Sequence, residues 1–411
     1  MYHMQISPPI RLRGVALADG SVVDVALEDG LVASVEPASD APFAPGDEDL
    51  RGHLLLAAPA DPHTHLDKAL SWSAIRPPSG DLPTAIASWV EYIQTIDADE
   101  IHGRASRAVA EYLANGTTAL RSHVDVPSEG DPTRGVRAVA RVRDEFAGLV
   151  DIEIVALAGR DIDPARVEAA LDAGADLVGG APHLAADEAA DFDRLIGIAE
   201  RRGVGVDFHA DEALRHGGTL RLLAERTAGW TVTRSAGHCV RLSMLESDEL
   251  DPLLADVAAA GIGVIANPIT NLYLQGWDDD VATPRGIAPV NRLRAAGVLT
   301  AAGGDNIRDP FNPMGRADAF ETAMLLVTAG HVPIDEAWAA VSSDARAVMG
   351  LPAAGPEAGL RADLLAVRAG SLADAIATAP ADRIVISRGR IVARTETSRW
   401  MLPRAHQEEN A

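Results

Sequence analysis

Histidine and carboxylate side chains follow several short apolar runs of the sequence, and their types suit a metal site. His63 and His65 form an H-x-H pair after the first run, His209 follows the fifth run, and Asp305 follows the eighth. Residues two apart on a strand point to the same side, so both imidazoles of the pair can face one site. Three neutral imidazoles and one carboxylate suit Zn²⁺ or Fe²⁺ and leave a position for water. Four unrelated polar residues at strand ends are the structural alternative.

Two further residues could move protons at such a site. Glu212 lies three positions after His209, where a carboxylate can take a proton from a metal-bound water and give it to a leaving amine. A glutamate stabilised by the dipole at a helix N-terminus is the structural alternative. His238 could stabilise a developing oxyanion or hold the attacking hydroxide, or it could be a hydrogen-bonded core residue. The catalytic candidates are therefore Glu212, His238 and Asp305.

Other polar residues near the strand ends have less specific signals. His123, Asp125 and His183 also follow apolar runs and could support the metal ligands or line the mouth of the site. Lys68 is the only lysine of the chain, and it could pair with Asp67 or with other neighbours of the first strand. The sequence leaves the roles of His123, Asp125 and Lys68 open.

Eight short β-rich runs alternate with helical stretches rich in Ala, Arg and Glu. Near-continuous apolar runs are typical of parallel strands that are buried on both faces. Eight β/α repeats predict a TIM-type (β/α)8 barrel, in which functional groups lie at the C-terminal ends of the strands. The runs span residues 53–61, 117–126, 151–159, 177–183, 204–211, 231–240, 261–270 and 298–306.

The two ends of the chain have a different pattern. Residues 1–58 and 360–398 contain short polar–apolar alternations broken by turn residues such as Asp19-Gly20 and Asp29-Gly30. We expect these two ranges to form one small β-sandwich, and residues 59–359 to form the barrel domain.

Composition narrows the class of protein. The 411 residues carry a formal net charge of −24, so the chain should repel phosphate backbones, and we expect no nucleic-acid partner. Cys239 is the only cysteine, which rules out an internal disulfide and a Cys-rich zinc site. No apolar run approaches the ~20 residues that a membrane span needs. We expect a cytoplasmic homo-oligomer that has no membrane partner.

The order of the motifs resembles the amidohydrolase superfamily and, within it, the cytosine deaminase branch. The resemblance covers about residues 10–395, and its motifs are HTHLDK, SHVDV, GGAPH, HADE, SAGH, NPITNLYLQG and GGDNIRDPFNPMG. It implies that the metal ligands are His63, His65, His209 and Asp305, that Glu212 shuttles protons, that His238 aligns the hydroxide, and that Gln275 lies near the substrate.

The same resemblance predicts the number of metal ions. Many superfamily members bind two metals bridged by a carbamylated lysine at the end of strand four. The fourth run here contains no lysine, since Lys68 is the only one in the chain. We therefore expect one divalent ion per chain, either Zn or Fe.

Two departures from the branch affect substrate recognition. Cytosine deaminases carry a pyrimidine-gripping glutamine about where Gly159 stands, and a second aspartate where this chain has Asn306. The metal chemistry is thus expected to be intact while recognition is altered, with Arg160 as a replacement donor. The substrate-binding candidates are Gln275, Asn306, Gly159, Arg160 and His183.

The leading hypothesis is a metal-dependent aminohydrolase whose partner is a small heterocycle. A metal-bound hydroxide would attack a cyclic amidine or aminated heterocycle of the pyrimidine, purine, pterin or triazine type, and ammonia or an amine would leave. A hydantoinase-like hydrolase of cyclic amides could use the same site. A non-catalytic scaffold is the third possibility, but a scaffold has no need of His63, His65, His209, Glu212 and Asp305 together.

We predict that cytosine is not the preferred substrate. Gly159 offers no side chain to the ring, and Asn306 replaces a carboxylate by a weaker neutral amide. Two such losses of roughly 1–3 kcal/mol each would lower kcat/KM for cytosine by about one to four decades. Steady-state kinetics test this: a kcat/KM for cytosine near ~10⁵ M⁻¹s⁻¹, above that of every larger heterocycle, would contradict it.

Overall fold

The structure, a computed structural model, describes residues 10–279, 281–398 and 400–401. Its strands are β1 (Ile10–Ala16), β2 (Val22–Glu28), β3 (Leu31–Pro37), β4 (Asp47–Asp49), β5 (Leu54–Ala57), β6 (Ala60–Thr64), β7 (Ala119–Val126), β8 (Asp151–Ala158), β9 (Leu177–Gly180), β10 (Gly205–Ala210), β11 (Arg234–His238), β12 (Gly263–Ala266), β13 (Thr300–Ala302), β14 (Leu364–Val367), β15 (Arg383–Ser387) and β16 (Arg390–Thr395).

Helices occupy most of the intervals between the central strands. They are α1 (Trp72–Ile75), α2 (Leu82–Ile93), α3 (Ala98–Ala114), α4 (Arg134–Glu145), α5 (Pro164–Asp172), α6 (Glu188–Arg202), α7 (Thr219–Thr227), α8 (Ser247–Ala259), α9 (Pro268–Leu274), α10 (Val290–Ala295), α11 (Ala319–Thr328), α12 (Ile334–Ala340), α13 (Ser343–Val348) and α14 (Leu372–Thr378). Within the described ranges, no helix has the length and apolar character needed to cross a membrane.

Strands β6 to β13 form the predicted barrel. They are hydrogen-bonded in chain order as one parallel eight-stranded sheet, and each of the eight apolar runs contributes at least part of its barrel strand. A parallel bridge between Thr64 and Asp305 joins the first strand to the segment after the last one. The TIM-type barrel prediction is confirmed.

The first predicted run divides between two sheets. Its beginning is β5, which pairs with β14, and its end enters β6 of the barrel. Pro59 separates the two strands and has no N–H to donate to a ladder. As a result β6 extends past the predicted end of the run, and His63 lies within the strand rather than after it.

Helices α5 and α6 lie in two of the helical stretches between the apolar runs, and local signals explain their ends. Helix α5 begins after Asp163, whose side chain accepts a hydrogen bond from the Ala165 amide. Helix α6 begins after Asp187, which caps it in the same way, and it ends at Gly203 with a φ of 65°. Side-chain acceptors at the start and a left-handed glycine at the end are the usual signals of helix boundaries.

The two chain ends together build one β-domain, as predicted, and the expected small β-sandwich takes the form of one further mixed sheet. Its strands follow the order β16-β15-β14-β5-β1-β2-β3, with β4 paired to β1. A bridge between Leu31 and Arg361 brings β3 next to the segment before β14, so the sheet curls around its own apolar cluster. Residues 1–9 of the predicted amino-terminal range lie outside the described residues, and the domain limits 58/59 and 359/360 stay a prediction.

A buried ion-pair network lies inside the barrel. Arg121 of β7 donates to Asp207 Oδ2 of β10 at 2.8 Å, to Ser235 Oγ of β11 at 2.9 Å and to Glu153 Oε2 of β8 at 3.0 Å. Arg121 and Asp207 are fully buried, so each desolvated charge depends on the other. His123, two residues along β7, points to the same interior.

We predict that Asp207→Ala destabilises the barrel strongly. The substitution removes the fully buried partner of the Arg121 guanidinium, and breaking a buried pair costs about 3–5 kcal/mol. The matched control is Asp193→Ala, which breaks an exposed ion pair with Arg226 and should have little effect. Urea unfolding curves measure both; equal losses in the two variants would contradict a structural role for the buried network.

Candidate metal and catalytic site

Three histidines and one aspartate meet at the carboxyl end of the barrel. His209 Nε2 lies 3.2 Å from His65 Nε2, and His65 Nε2 lies 3.1 Å from Asp305 Oδ1. His63 Nε2 lies 3.7 Å from the same Asp305 oxygen. The ligand atoms of His63, His65 and His209 all lie within 4.8 Å of one another, and all four side chains are buried. The structure therefore brings together the four predicted metal ligands, whose role as ligands stays a prediction.

Glycines make room for this cluster. A Cβ at Gly237 of β11 would lie 2.5 Å from His63 Cε1, closer than real Cβ contacts. A Cβ at Gly303, after β13, would lie 2.9 Å from the backbone oxygen of His63. Gly237 in SAGH and Gly303 in AAGGDN are thus required by the packing of His63. Glycines at these two strand ends were the sequence signal that could have indicated a crowded site.

Asp61 fixes the first and last barrel strands at the site. One carboxylate oxygen accepts from the His63 amide at 3.2 Å and the other from the Gly304 amide at 2.9 Å. The Asp305 amide in turn donates to the His63 carbonyl at 2.8 Å. Burial raises the pKa of Asp61 to about 7. Sequence analysis did not identify this role, although Asp61 stands just before the H-x-H pair.

Two site residues have left-handed backbones. His238 has a φ of 70° and Asp305 a φ of 57°. Neither residue is a glycine, and such a conformation costs of order 1 kcal/mol or more, so it persists only where the surroundings hold it. The turn after each strand is what directs these two side chains into the mouth of the barrel.

Unpaired buried atoms show that the cluster fits a cation. Both ring nitrogens of His63, Nδ1 of His209, Nε2 of His238 and both carboxylate oxygens of Asp305 make no hydrogen bond to any described residue. Burial lowers the pKa of His63, His65 and His209 well below the usual value, so these rings are neutral and free to bind a metal. Buried polar atoms normally have partners, and a divalent ion would supply one to each ligand.

A second group of buried ligand types shares one histidine with the first. His63, His123 and Asp207 also bring ligand atoms within 4.8 Å of one another. The His123 ring lies 4.0 Å from the His63 ring, centroid to centroid. Asp207, however, already accepts a hydrogen bond from the Arg121 guanidinium, which compensates its negative charge. Among the described residues the group around Asp305 has no such pairing and is therefore the better candidate for a cation.

The proton-transfer candidates lie beside the ligands. Glu212 Oε1 is 3.7 Å from His238 Nδ1, and its Oε2 is 3.7 Å from His183 Nε2. Burial raises the pKa of Glu212 to about 8 and lowers that of His238 to about 3. The next helix, α7, begins seven positions after Glu212, so the alternative of a helix N-terminal glutamate is wrong.

Asn271 was not identified from the sequence. Its amide nitrogen lies 3.0 Å from His238 Nδ1 and orients that ring. It belongs to the motif NPITNLYLQG, but no spacing rule distinguishes it from Asn267 in the same motif.

A cavity of about 1070 Å³ opens above the cluster. Gly159, Arg160, Gln275 and Asn306 line it, as expected for substrate-binding candidates. Two of them already have partners: Gln275 donates to the Glu212 carbonyl at 2.7 Å, and Asn306 donates to Asp309 at 2.8 Å.

His183 is placed differently from the other substrate-binding candidates. It is buried, lies in the 3₁₀ helix Pro182–Leu184, and its Nδ1 is 3.2 Å from the His209 carbonyl oxygen. Its other nitrogen faces Glu212. In this position it contacts two site residues rather than lining the cavity.

Lys68, Asp125 and Trp89 form a cluster on the cavity wall, which we call the lysine cluster. Lys68 Nζ donates to Asp125 Oδ1 at 2.8 Å, and Trp89 Nε1 donates to Asp125 Oδ2 at 2.5 Å. Burial opposes the charged form of Lys68, but Asp125 and Asp67 outweigh it and raise the pKa. Trp89 comes from helix α2, and no sequence pattern linked it to the other two residues.

Comparisons with known proteins agree with this geometry. Residues 94–393 match the family described as "Amidohydrolase family". The chain belongs to the amidohydrolase family. It is 30% identical to a pterin deaminase of Rhizobium rhizogenes over 395 residues, which cover 90% of this chain and 88% of the relative.

Solved structures extend the likeness to the whole fold. A 5-methylcytosine deaminase from Klebsiella pneumoniae, liganded with 5-fluorocytosine, is 25% identical with a TM-score of 0.88, and the match covers 96% of this chain and 100% of that one. An N-isopropylammelide isopropylaminohydrolase from Burkholderia multivorans is 31% identical with a TM-score of 0.81, covering 95% and 99%. The predicted family is confirmed, and this amidohydrolase is a hydrolase of C–N bonds other than peptide bonds.

We predict one divalent metal ion per chain, bound by the four clustered ligands. Because every ligand is buried, His209→Ala should weaken metal affinity by more than the roughly 10- to 100-fold that losing a supporting group costs. His102→Ala is the control, since His102 lies near Glu145 on the surface. Elemental analysis of purified and reconstituted protein would contradict the prediction if it found two stoichiometric metals, none, or full occupancy in His209→Ala.

Proposed function

We propose that this amidohydrolase removes ammonia or an amine from an aminated heterocycle of the pterin type. Open space at Gly159 carries the proposal: a Cβ placed there would meet no atom within 4 Å, in a cavity of about 1070 Å³. Ligand pockets of ~300–1,000 Å³ are usual, so a cavity at the upper end of that range has room for a fused bicyclic ring. The relative named as a pterin deaminase supports this substrate class.

The chain's own residues have distinct tasks in the proposed reaction. A bound divalent ion supplies water acidic enough to act as a nucleophile near neutral pH. His63, His65, His209 and Asp305 would hold that ion, and the barrel keeps their donor atoms within a few ångströms of one another.

Glu212 is placed to move protons between the two sides of the reaction. Its carboxyl group lies on the cavity wall, and each of its oxygens is 3.7 Å from a histidine nitrogen. It can hold a proton from the attacking water and donate it to the nitrogen that leaves. His238, oriented by Asn271, faces the same position and can donate to the oxygen that gains charge.

The number of metal ions, the cellular location and the oligomeric state are inferred from the sequence. We infer a single Zn or Fe ion per chain, because the only lysine, Lys68, pairs with Asp125 and cannot bridge two ions at strand four. A cytoplasmic homo-oligomer acting on a small heterocycle stays our prediction.

A substrate panel tests the proposed function. Release of ammonia or an amine is measured for pterin, guanine, cytosine and isopropylammelide. Ring opening is measured for hydantoin, which represents the cyclic amide alternative. The proposal predicts the highest kcat/KM for pterin. Preference for hydantoin would assign the enzyme to cyclic amide hydrolysis, and preference for a single-ring amine would show that the space at Gly159 does not select bicyclic rings.

We predict that Glu212→Gln keeps the metal and loses most of the turnover. The amide preserves the shape but cannot accept and return a proton, and positioned acid–base groups typically contribute ~10²–10⁴-fold. The matched control, Glu225→Gln, changes an exposed glutamate of α7. kcat is measured together with metal content. Turnover within a few-fold of the parent would show that another group shuttles the proton.

A further inference from the structure

The lysine cluster has no task in the reaction described so far. Lys68 lies on the cavity wall together with Trp89 and Asp125, yet its residue surface is only 3% exposed. It is the only lysine among 36 basic residues, so the one flexible ammonium of the chain stands in the proposed active site. Burying an ammonium is costly unless it is paired, and here Asp125 and Asp67 supply the opposite charge.

The hydrogen bonds of Lys68 leave one proton free. Its Nζ donates to Asp125 at 2.8 Å and weakly to Asp67 at 3.4 Å. His65 Nδ1 also lies 3.4 Å away, but it is within 3.1 Å of the His123 carbonyl, to which it donates its own proton. That nitrogen therefore cannot accept from Lys68. An ammonium has three protons, so one proton of Lys68 has no acceptor among these contacts, and Lys68 itself lines the cavity.

The neighbours hold the ammonium in one place. Both oxygens of Asp125 are occupied, one by Lys68 and the other by Trp89 Nε1. The ammonium lies 5.4 Å from the centre of the Trp89 ring, within range of a cation–π contact. The Asp125 amide is fixed in turn by Asp67 at 3.0 Å. A donor held in this way loses little side-chain entropy when a ligand binds.

We propose, on the basis of the proposed function, that the lysine cluster is a subsite in which Lys68 donates a hydrogen bond to a ring carbonyl oxygen of the substrate. The ammonium lies one imidazole ring from the metal-ligand cluster, because His65 presents Nε2 to Asp305 and Nδ1 toward Lys68. A heterocycle with its amine carbon at the cluster can thus place an oxo group of the same ring system at Lys68.

The charge of the cavity favours a neutral acceptor over an anion. The chain carries a net charge of −24, which opposes the entry of carboxylates and phosphates. An ammonium cannot accept hydrogen bonds, so an amino group at this position would leave it unsatisfied. Among the described residues that line the cavity, the carboxylates are Asp81, Asp125, Glu212, Asp278, Asp279 and Asp305, and the fixed cations are Lys68, Arg160 and Arg215.

A pair of substrates isolates the subsite. Pterin and 2-aminopteridine carry the same leaving amine at C2 and differ in the oxo group at C4, which makes the adjacent N3–C4 unit of pterin a lactam. Lys68→Met keeps the length of the side chain and removes its charge. We expect kcat/KM for pterin to fall roughly 10- to 100-fold, as for the loss of a hydrogen bond to a charged group, while 2-aminopteridine changes by less than about threefold.

Controls separate recognition from structure. Metal content must match the parent, Lys68→Arg should recover part of the pterin activity, and Arg141→Met, a surface charge loss, should change neither substrate. Equal losses for both pteridines in Lys68→Met, or none, would overturn the subsite. Failure of the parent to turn over either pteridine would instead contradict the proposed function.

A binding measurement decides the subsite without turnover. Protein labelled with nitrogen-15 lysine gives one side-chain ammonium signal, because Lys68 is the only lysine. In the metal-loaded protein we expect this signal to shift on addition of lumazine, the dioxo product of pterin, but not on addition of unsubstituted pteridine. If the parent protein is inactive on pteridines, it is titrated instead with cyanuric acid, a triazine with three oxo groups. A signal unchanged by saturating oxo ligand would overturn the proposal.

Discussion

Buried polar atoms without protein partners are the constraint on which this structure depends. Atoms of His63, His209, His238 and Asp305 are sealed at the carboxyl end of the barrel without hydrogen bonds among the described residues. Each such group costs free energy unless something satisfies it, so the cluster fits a cation, and the surrounding structure holds the candidate ligands in place. Asp61 links the first and last strands, and Gly237 leaves the space that the His63 ring fills.

The cavity above the candidate ligands is lined both by Glu212 and by the lysine cluster. The Gln275 amide holds the backbone of Glu212, the proposed proton carrier. In the proposed subsite, the lysine cluster would offer a fixed donor to the substrate ring. Gly159 lines the same cavity, and a Cβ placed there would meet no atom within 4 Å. In this proposal chemistry and selectivity depend on different residues, and the relatives of this chain are indeed named for different heterocycles: a pterin, a methylated cytosine and an alkylated triazine.

Much of the fold and the grouping of the four candidate ligands could be predicted, because parallel strands buried on both faces give continuous apolar runs and their ends meet at one face. That geometry is why residues as distant as His63, His209 and Asp305 could be grouped from the sequence alone. Trp89 could not be placed, since it comes from a helix outside the strand pattern, and its contact with Asp125 depends on tertiary packing. The division of the first run at Pro59 was missed because an apolar run does not reveal which sheet each half joins.

Anomalous X-ray diffraction at the metal absorption edge tests the central claim most directly. Crystals of the metal-loaded protein should show one strong peak per chain, within coordination distance of His63, His65, His209 and Asp305. A peak between His123 and Asp207 would assign the metal to the second ligand group. Two peaks of comparable height, or no peak at the barrel mouth, would contradict a single metal site built from the strand ends.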